Sequence, residues 1–168
     1  KAGADAFSFI QRFATQTQFG IEDLSNTFIK LQAAGIEPSE KLLRTFTDTA
    51  AVTTDQLGTL QAVTDLLSRT TGGGLGLEEL ERLADRGIPV YRILGDEIGL
   101  ARSEVSEFGK TAEGAAKIVD ALLNGLDKTF GGATARRAQN LSTIVSNFQI
   151  ATRNAIGEFG AGLAPALK

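Results

Sequence analysis

Residues 72–98, GGGLGLEELERLADRGIPVYRILGDEI, are the most informative stretch of the chain, because two short helical patterns flank a Gly-Ile-Pro corner. From Leu77 onward, leucines recur at the three-residue spacing of a helix face. Gly87 then stands where the C-terminus of a helix favours glycine. Pro89 suits the first turn of a following helix, where a backbone N–H is not needed. The stretch therefore predicts two helices joined at a tight corner.

The same punctuation occurs earlier in the chain. Apolar residues at steps of three and four between Ile21 and Leu31 predict an amphipathic helix that ends at Gly35. Pro38 fits the first turn of the helix that follows. We attribute the similarity of the two corners to shared helix-hairpin chemistry rather than to a true internal repeat, since two copies this different are weak evidence for one.

Two longer helical patterns complete the chain. Thr111 is a suitable N-cap for a helix with a broad apolar stripe, which ends at Gly131 and Gly132. A narrower stripe follows from residue 133 to residue 159. Signals for strands and hairpin turns are weak. We therefore predict an all-α fold, a multi-helix bundle with short Gly/Pro joints and a long C-terminal amphipathic helix.

These patterns divide the chain into two predicted parts. Residues 1–132 are expected to form a compact helical domain, and residues 133–168 an amphipathic helix, either packed or protruding. Because the chain lacks Met and ends inside a helical pattern, we expect it to be a fragment of a longer protein. The predicted structural joints are Gly35, Pro38, Gly87, Pro89, Gly131 and Gly132. The candidate partner surface, chosen for its coiled-coil-like spacing, is Leu141, Ile144, Phe148, Ala155 and Phe159.

Composition excludes several classes of function. The 168 residues are 42% hydrophobic and 22% charged, which is typical of folded proteins. The absence of Cys and His excludes disulfides, zinc fingers, cysteine nucleophiles and histidine bases. A formal net charge of −3 gives no general attraction to nucleic acid, and no apolar run reaches the roughly 18 residues of a membrane span. We expect neither catalysis nor a cofactor or metal.

Two motifs could in principle carry chemistry. The glycines of residues 72–76 precede a helix, as in phosphate-binding loops, but no Gly-Lys-Ser or Gly-Lys-Thr follows. Glu78 and Glu79 would also repel phosphate, so a flexible hinge is the favoured interpretation. The acidic residues between Glu78 and Glu97 could serve glycoside hydrolysis. Interleaved arginines such as Arg82 instead favour a solvated, charged helix face.

The C-terminal segment is weakly basic. Residues 133–168 carry four Lys and Arg against one Glu, which is compatible with contact to DNA, an acidic lipid surface or an acidic protein. Four cations in 36 residues are too sparse for a polybasic cluster. We therefore favour a partner helix over a nucleic acid or a membrane.

The order of these segments resembles the N-terminal region of phage tail tape measure proteins. The resemblance covers most of residues 18–150, and its most specific parts are the RGIP corner and the FGG break before NLSTIVSNFQ. Further matching segments are QFG, EDLSNTFIKLQAAGI, LLRTFTDTAA, LEELERLADRGIPVYRIL and EFGKTAEGAAKIVDALL. Each segment alone is only an ordinary helical pattern or helix end, so the resemblance depends on the order of the segments.

This resemblance implies a structural assembly protein of a long-tailed phage or prophage, in which an extended helical body sets the number of tube rings. It implies as partners tail tube subunits, tail assembly chaperones, tail tip or baseplate proteins, and further copies of the chain. The location would be the virion tail and, during assembly, the host cytoplasm. Because Gly/Pro joints interrupt any straight rod, we expect a folded terminal module. A membrane-interacting helical module for genome delivery and a peptidoglycan hydrolase are the alternatives.

Overall fold

The computed structural model describes the backbone of residues 2–163 and the side chains of residues 6–149. Within these residues the chain is all-α, as predicted, and contains no strand. The helices are α1 (Ala2–Ala14), α2 (Ile21–Ala33), α3 (Glu40–Ala51), α4 (Gln56–Thr70), α5 (Leu77–Ala84), α6 (Val90–Ile98), α7 (Arg102–Phe108), α8 (Ala112–Phe130) and α9 (Ala133–Leu163).

The chain forms two compact units, residues 1–134 and residues 135–168. The first unit contains α1 to α8 and the first two residues of α9, and it has a single apolar core to which all of α1 to α8 contribute. Burying one aliphatic side chain completely contributes about 1.5–3 kcal/mol, so this core is the main source of stability. Its largest fully buried side chains are Leu24, Leu31, Leu43, Phe46, Leu60, Leu66, Leu80, Leu83, Ile88, Leu94, Ile118 and Leu122.

The corner between α5 and α6 is built as a glycine-terminated helix end. Gly87 has φ of 85°, which L side chains rarely adopt. Its N–H donates to the Ala84 carbonyl at 2.9 Å, and the N–H of Ile88 donates to the Leu83 carbonyl at 3.2 Å. These two hydrogen bonds are those of the Schellman motif, and the apolar contact that accompanies it is supplied by the buried Ile88 and Leu83.

The corner after α2 repeats this arrangement. Gly35 has φ of 78°, and its N–H donates to the Gln32 carbonyl at 2.9 Å. The N–H of Ile36 donates to the Leu31 carbonyl at 2.9 Å, as in the first corner. The shared Gly-Ile sequence thus produces the same local hydrogen bonds twice.

The two prolines lie outside the helices that follow them, contrary to the prediction for their first turns. α3 begins at Glu40, and its N-cap is Ser39, whose Oγ accepts a hydrogen bond from the Leu42 N–H at 3.1 Å. Pro38 therefore precedes the cap, because serine supplies the acceptor that a helix N-terminus requires. Pro89 occupies the N-cap position of α6, which begins at Val90.

The glycine-rich connection between α4 and α5 ends at a buried residue, and its interpretation as a flexible hinge stays a prediction. Leu75 is buried, and its N–H donates to the Gly109 carbonyl at 3.1 Å. The N-terminus of α8 lies close to Gly109 in sequence and follows the predicted pattern, since Thr111 Oγ1 accepts a hydrogen bond from the Gly114 N–H at 3.0 Å. Both contacts fix the chain around the α7–α8 turn.

Candidate interaction surface

α9 begins at a corner that is held by α3. Gly131 and Gly132 separate α8 from α9, and Gly132 has φ of 78°. The carboxylate of Asp48, a residue only 3% exposed, accepts hydrogen bonds from the N–H groups of Gly132 at 2.7 Å and Thr134 at 2.8 Å. A carboxylate at a helix N-terminus satisfies N–H groups that have no partner within the helix and interacts favourably with the helix dipole.

Asp48 was not predicted as a functional residue, although it is the one charged side chain among the buried residues of α3. Its hydrogen-bond partners lie 84 and 86 residues further along the chain. An aspartate in the threonine-rich stretch TFTDTAA is the only local signal, and that signal does not indicate what the carboxylate binds.

The side chains of residues 135–149 are all exposed, and they include a row of large apolar residues. Leu141 and Ile144 are each 63% exposed, Val145 is 48% exposed and Phe148 is 72% exposed. Their spacing of three, four and seven residues from Leu141 places them on one helix face. We call these four residues the α9 stripe.

Three of the five residues in the predicted partner surface belong to the α9 stripe, namely Leu141, Ile144 and Phe148. Ala155 and Phe159 lie outside the residues whose side chains the structure describes. Val145 belongs to the apolar stripe that the sequence predicts, since it lies four residues after Leu141, but it was not among the five residues of the predicted partner surface.

The surroundings of the α9 stripe are polar but uncharged. Arg136 and Arg137 are the only charged residues between positions 135 and 149, and both precede the stripe. Ser, Thr, Asn and Gln occupy most of the remaining positions from 138 to 149. A second helix of the same sequence could therefore approach the stripe without opposing rows of like charge.

The predicted solvated acidic face on α5 is only partly present. Glu78 is exposed and pairs with Arg82 at 2.6 Å, four residues later, as the charge pattern predicts. Glu79 is instead buried, and its carboxylate pairs with Arg69 of α4 at 2.9 Å. The prediction of a solvated Glu79 is wrong because this residue lies on the same face of α5 as the buried Leu83, four positions later.

Tyr91 of α6 lies beside the same acidic region. The Arg102 guanidinium stands 4.7 Å from the centroid of its ring and 3.3 Å from the Glu81 carboxylate. Burial and the nearby Glu81 charge raise the pKa of the Tyr91 hydroxyl above its usual value. The hydroxyl is therefore neutral at pH 7, and this cluster ties α7 to α5 and α6.

Two kinds of feature are absent from the described residues. Within the part of the chain that the structure describes, no helix is both long enough and apolar enough to cross a membrane. The same residues contain no group of three or more Asp, Glu, His or Cys side chains placed to hold a metal ion.

Comparison with known proteins gives one family for the chain. A family model described as tape measure protein matches residues 1–161. The Mu-like prophage FluMu protein gp42 of Haemophilus influenzae (strain ATCC 51907 / DSM 11121 / KW20 / Rd) is 25% identical over 150 residues. That alignment covers 88% of this chain but 24% of the relative, so the chain spans about a quarter of the relative's length. No solved structure matches the chain.

The family match extends over nearly all of the described helices, from α1 through most of α9. It confirms the resemblance that the RGIP corner, the FGG break and the order of the helical segments indicated. The chain belongs to the tape measure protein family, and it is accordingly related to structural proteins of phage tails rather than to a family of enzymes.

Proposed function

We propose that this chain is a folded terminal module of a tape measure protein, acting in tail length determination and tail tube assembly. Family membership supports the general role in a phage tail. The specific role is supported by the length of α9, which runs for 31 residues. A continuous helix converts residue number into distance at about 1.5 Å per residue, which is the property that a ruler requires.

The single observation that carries the proposal is the α9 stripe. Soluble proteins normally bury a row of large aliphatic and aromatic side chains, and an exposed row is typical of a surface that binds another chain. At the start of the helix that carries it, the Asp48 carboxylate accepts hydrogen bonds from the N–H groups of Gly132 and Thr134. We infer that the first 132 residues fold as a body and that residues 133–168 associate with other polypeptides.

Further copies of the same chain are the proposed partners of the α9 stripe. Leu141, Ile144 and Phe148 would pack against the equivalent residues of a second helix, and the sequence pattern extends this surface to Ala155 and Phe159. Tail tube subunits, tail assembly chaperones and tail tip or baseplate proteins are proposed partners of the complete protein. Its proposed locations are the virion tail and, during assembly, the host cytoplasm.

No described feature favours the two alternative functions. A peptidoglycan hydrolase would need carboxylates free to act as acid and base, whereas Glu78 and Glu79 are both engaged in ion pairs. A membrane-interacting module would be favoured by cations along the apolar stripe, and the positions from 138 to 149 carry none. Catalysis is not part of the proposal.

Electron microscopy of phage particles would test the length-determining role. Inserting 42 residues of regular helix into the parent protein, outside the segment described above, should lengthen the tail by about 63 Å at 1.5 Å per residue. The matched control inserts 42 residues into the loop at Gly73 in the folded body and should leave tail length unchanged. Unchanged tail length with the first insertion, in particles that still assemble, would refute the role.

A further inference from the structure

A groove on the first unit lies apart from the α9 stripe. It runs between α3, α4 and α8 and encloses about 350 Å³. A neighbouring hollow of about 180 Å³ shares Leu42, Asp120 and Leu123 with it, so the two form one continuous depression along α3 and α8. The apolar lining of the larger part includes Ile36, Leu42, Leu67, Ala116, Val119 and Leu123.

The shape of this depression suits a helix better than a small molecule. It is open to solvent, since Ala116 and Asp120 on its α8 wall are exposed. The apolar side chains of its lining are all aliphatic, and the smaller part is lined mostly by polar residues. An amphipathic helix typically fills such a groove with aliphatic side chains spaced three, four or seven residues apart.

Charge indicates which kind of helix would bind. Asp120 is the only charged residue in the lining of the larger part, and within the described residues it forms no hydrogen bond or ion pair. Lys41 lines the smaller part, and its charge is paired with Asp127 at 3.8 Å. Residues 1–132 contain 13 Lys and Arg against 19 Asp and Glu, a formal net charge of −6. A basic partner would therefore be attracted to this unit and could pair with the Asp120 carboxylate at the rim.

We propose that this groove is a docking site for a basic amphipathic helix of another protein. Two or three aliphatic side chains of that helix fill the space between Leu67, Val119 and Leu123. A Lys or Arg one turn away pairs with Asp120. The site is independent of the α9 stripe and of the length-determining role, so either can fail without the other.

Titration of the full chain with synthetic peptides would test the site. The probe is a two-heptad helical peptide with Leu at positions i, i+4 and i+7 and Arg beside them, and its partner peptide has Glu in place of every Arg. Calorimetry should give binding of the Arg peptide that is at least about fivefold tighter than that of the Glu peptide. Methyl NMR shifts should concentrate at Leu67, Val119 and Leu123.

Variants of the chain would locate the binding. Ala116→Arg fills the groove from an exposed helical position and should weaken binding about tenfold or more, and Thr71→Arg does so from the opposite wall. Asp120→Asn should weaken binding of the Arg peptide about two- to fivefold. Ala135→Arg adds the same charge at an exposed position outside the groove, and it should leave binding unchanged.

Three results would overturn the proposal. The first is equal affinity for the two peptides, and the second is unchanged binding in both groove-filling variants. The third is the appearance of the same methyl shifts when the chain alone is concentrated, with association lost in Ala116→Arg. That result would make a second copy of the chain the occupant instead of another protein.

Discussion

α8 and α9 are consecutive helices with the same kind of apolar spacing, yet they use it differently. In α8, Ile118 and Leu126 are fully buried and Leu122 is 1% exposed. In α9, Leu141 and Ile144 are 63% exposed. Helical periodicity therefore predicts which residues share an apolar face, but the burial of that face depends on which other elements pack there.

The packing of α6 against α8 explains part of the difference. It is the most extensive helix contact of the first unit, and Gly125 makes it close, because a Cβ at this position would overlap the Ile93 side chain. A glycine on the apolar face of a helix can thus mark a close helix crossing. The described part of α9 has no glycine before residue 157.

The largest expected change in the free energy of unfolding tests the comparison of α8 with α9 directly. Leu122→Ala should lower the free energy of unfolding by about 2–5 kcal/mol, because it leaves a cavity in the core. Leu141→Ala removes the same atoms from an exposed position and should change that free energy by less than about 0.5 kcal/mol. Urea denaturation followed by circular dichroism measures both, and similar losses in the two variants would contradict the distinction.

A smaller loss of stability is expected at the corner between α5 and α6. Gly87→Val should destabilise the chain by about 1–3 kcal/mol, since a β-branched residue is strained at φ of 85°. Gly95→Ala lies in the interior of α6 at an exposed position and should stabilise by about 0.5–1 kcal/mol. Thermal unfolding compares the two variants. An unchanged Tm for Gly87→Val would contradict the claim that this corner requires glycine.

The start of α9 should depend on Asp48. Asp48→Ala leaves the N–H groups of Gly132 and Thr134 without their acceptor and should cost about 1–2 kcal/mol. Hydrogen exchange should also become faster at the amides of these two residues. Asp120→Ala is the control, because that carboxylate has no partner within the described residues. Equal stability of the two variants would show that Asp48 does not hold the corner.

The smallest predicted change in stability concerns the two neighbouring glutamates of α5. Glu79→Gln should cost about 1 kcal/mol, because its side chain is only 10% exposed and pairs with Arg69. Glu78→Gln alters an exposed pair and should cost less than about 0.5 kcal/mol. Chemical denaturation at low ionic strength compares the two, and a larger loss for Glu78→Gln would contradict the assigned burial.

Local patterns were sufficient for much of the fold. The all-α class followed from apolar spacing, and the end of the helix before Gly87 followed from the preference of that position for glycine. The contacts of Asp48 and Glu79 could not be predicted in this way. Asp48 reaches residues more than 80 positions away, and Glu79 pairs with a different helix, so neither partner is specified by neighbouring sequence.

The candidate surface was predictable to a similar extent. The pattern from Leu141 to Phe148 identified one apolar face of α9. That this face is exposed could be learned only from the structure. The groove beside Asp120 was not predicted at all, because three helices that are separated in sequence form it. That the α9 stripe binds other chains stays a prediction.

Sedimentation equilibrium of the chain over a range of concentrations tests the central claim, that the α9 stripe is an assembly surface. The account predicts association that is lost in the double variant Leu141→Glu and Ile144→Glu and retained in Ser146→Glu, which adds charge to a different face. The double variant should keep the Tm of the original chain. A chain that stays monomeric at every concentration, or equal association in all three proteins, would contradict the claim.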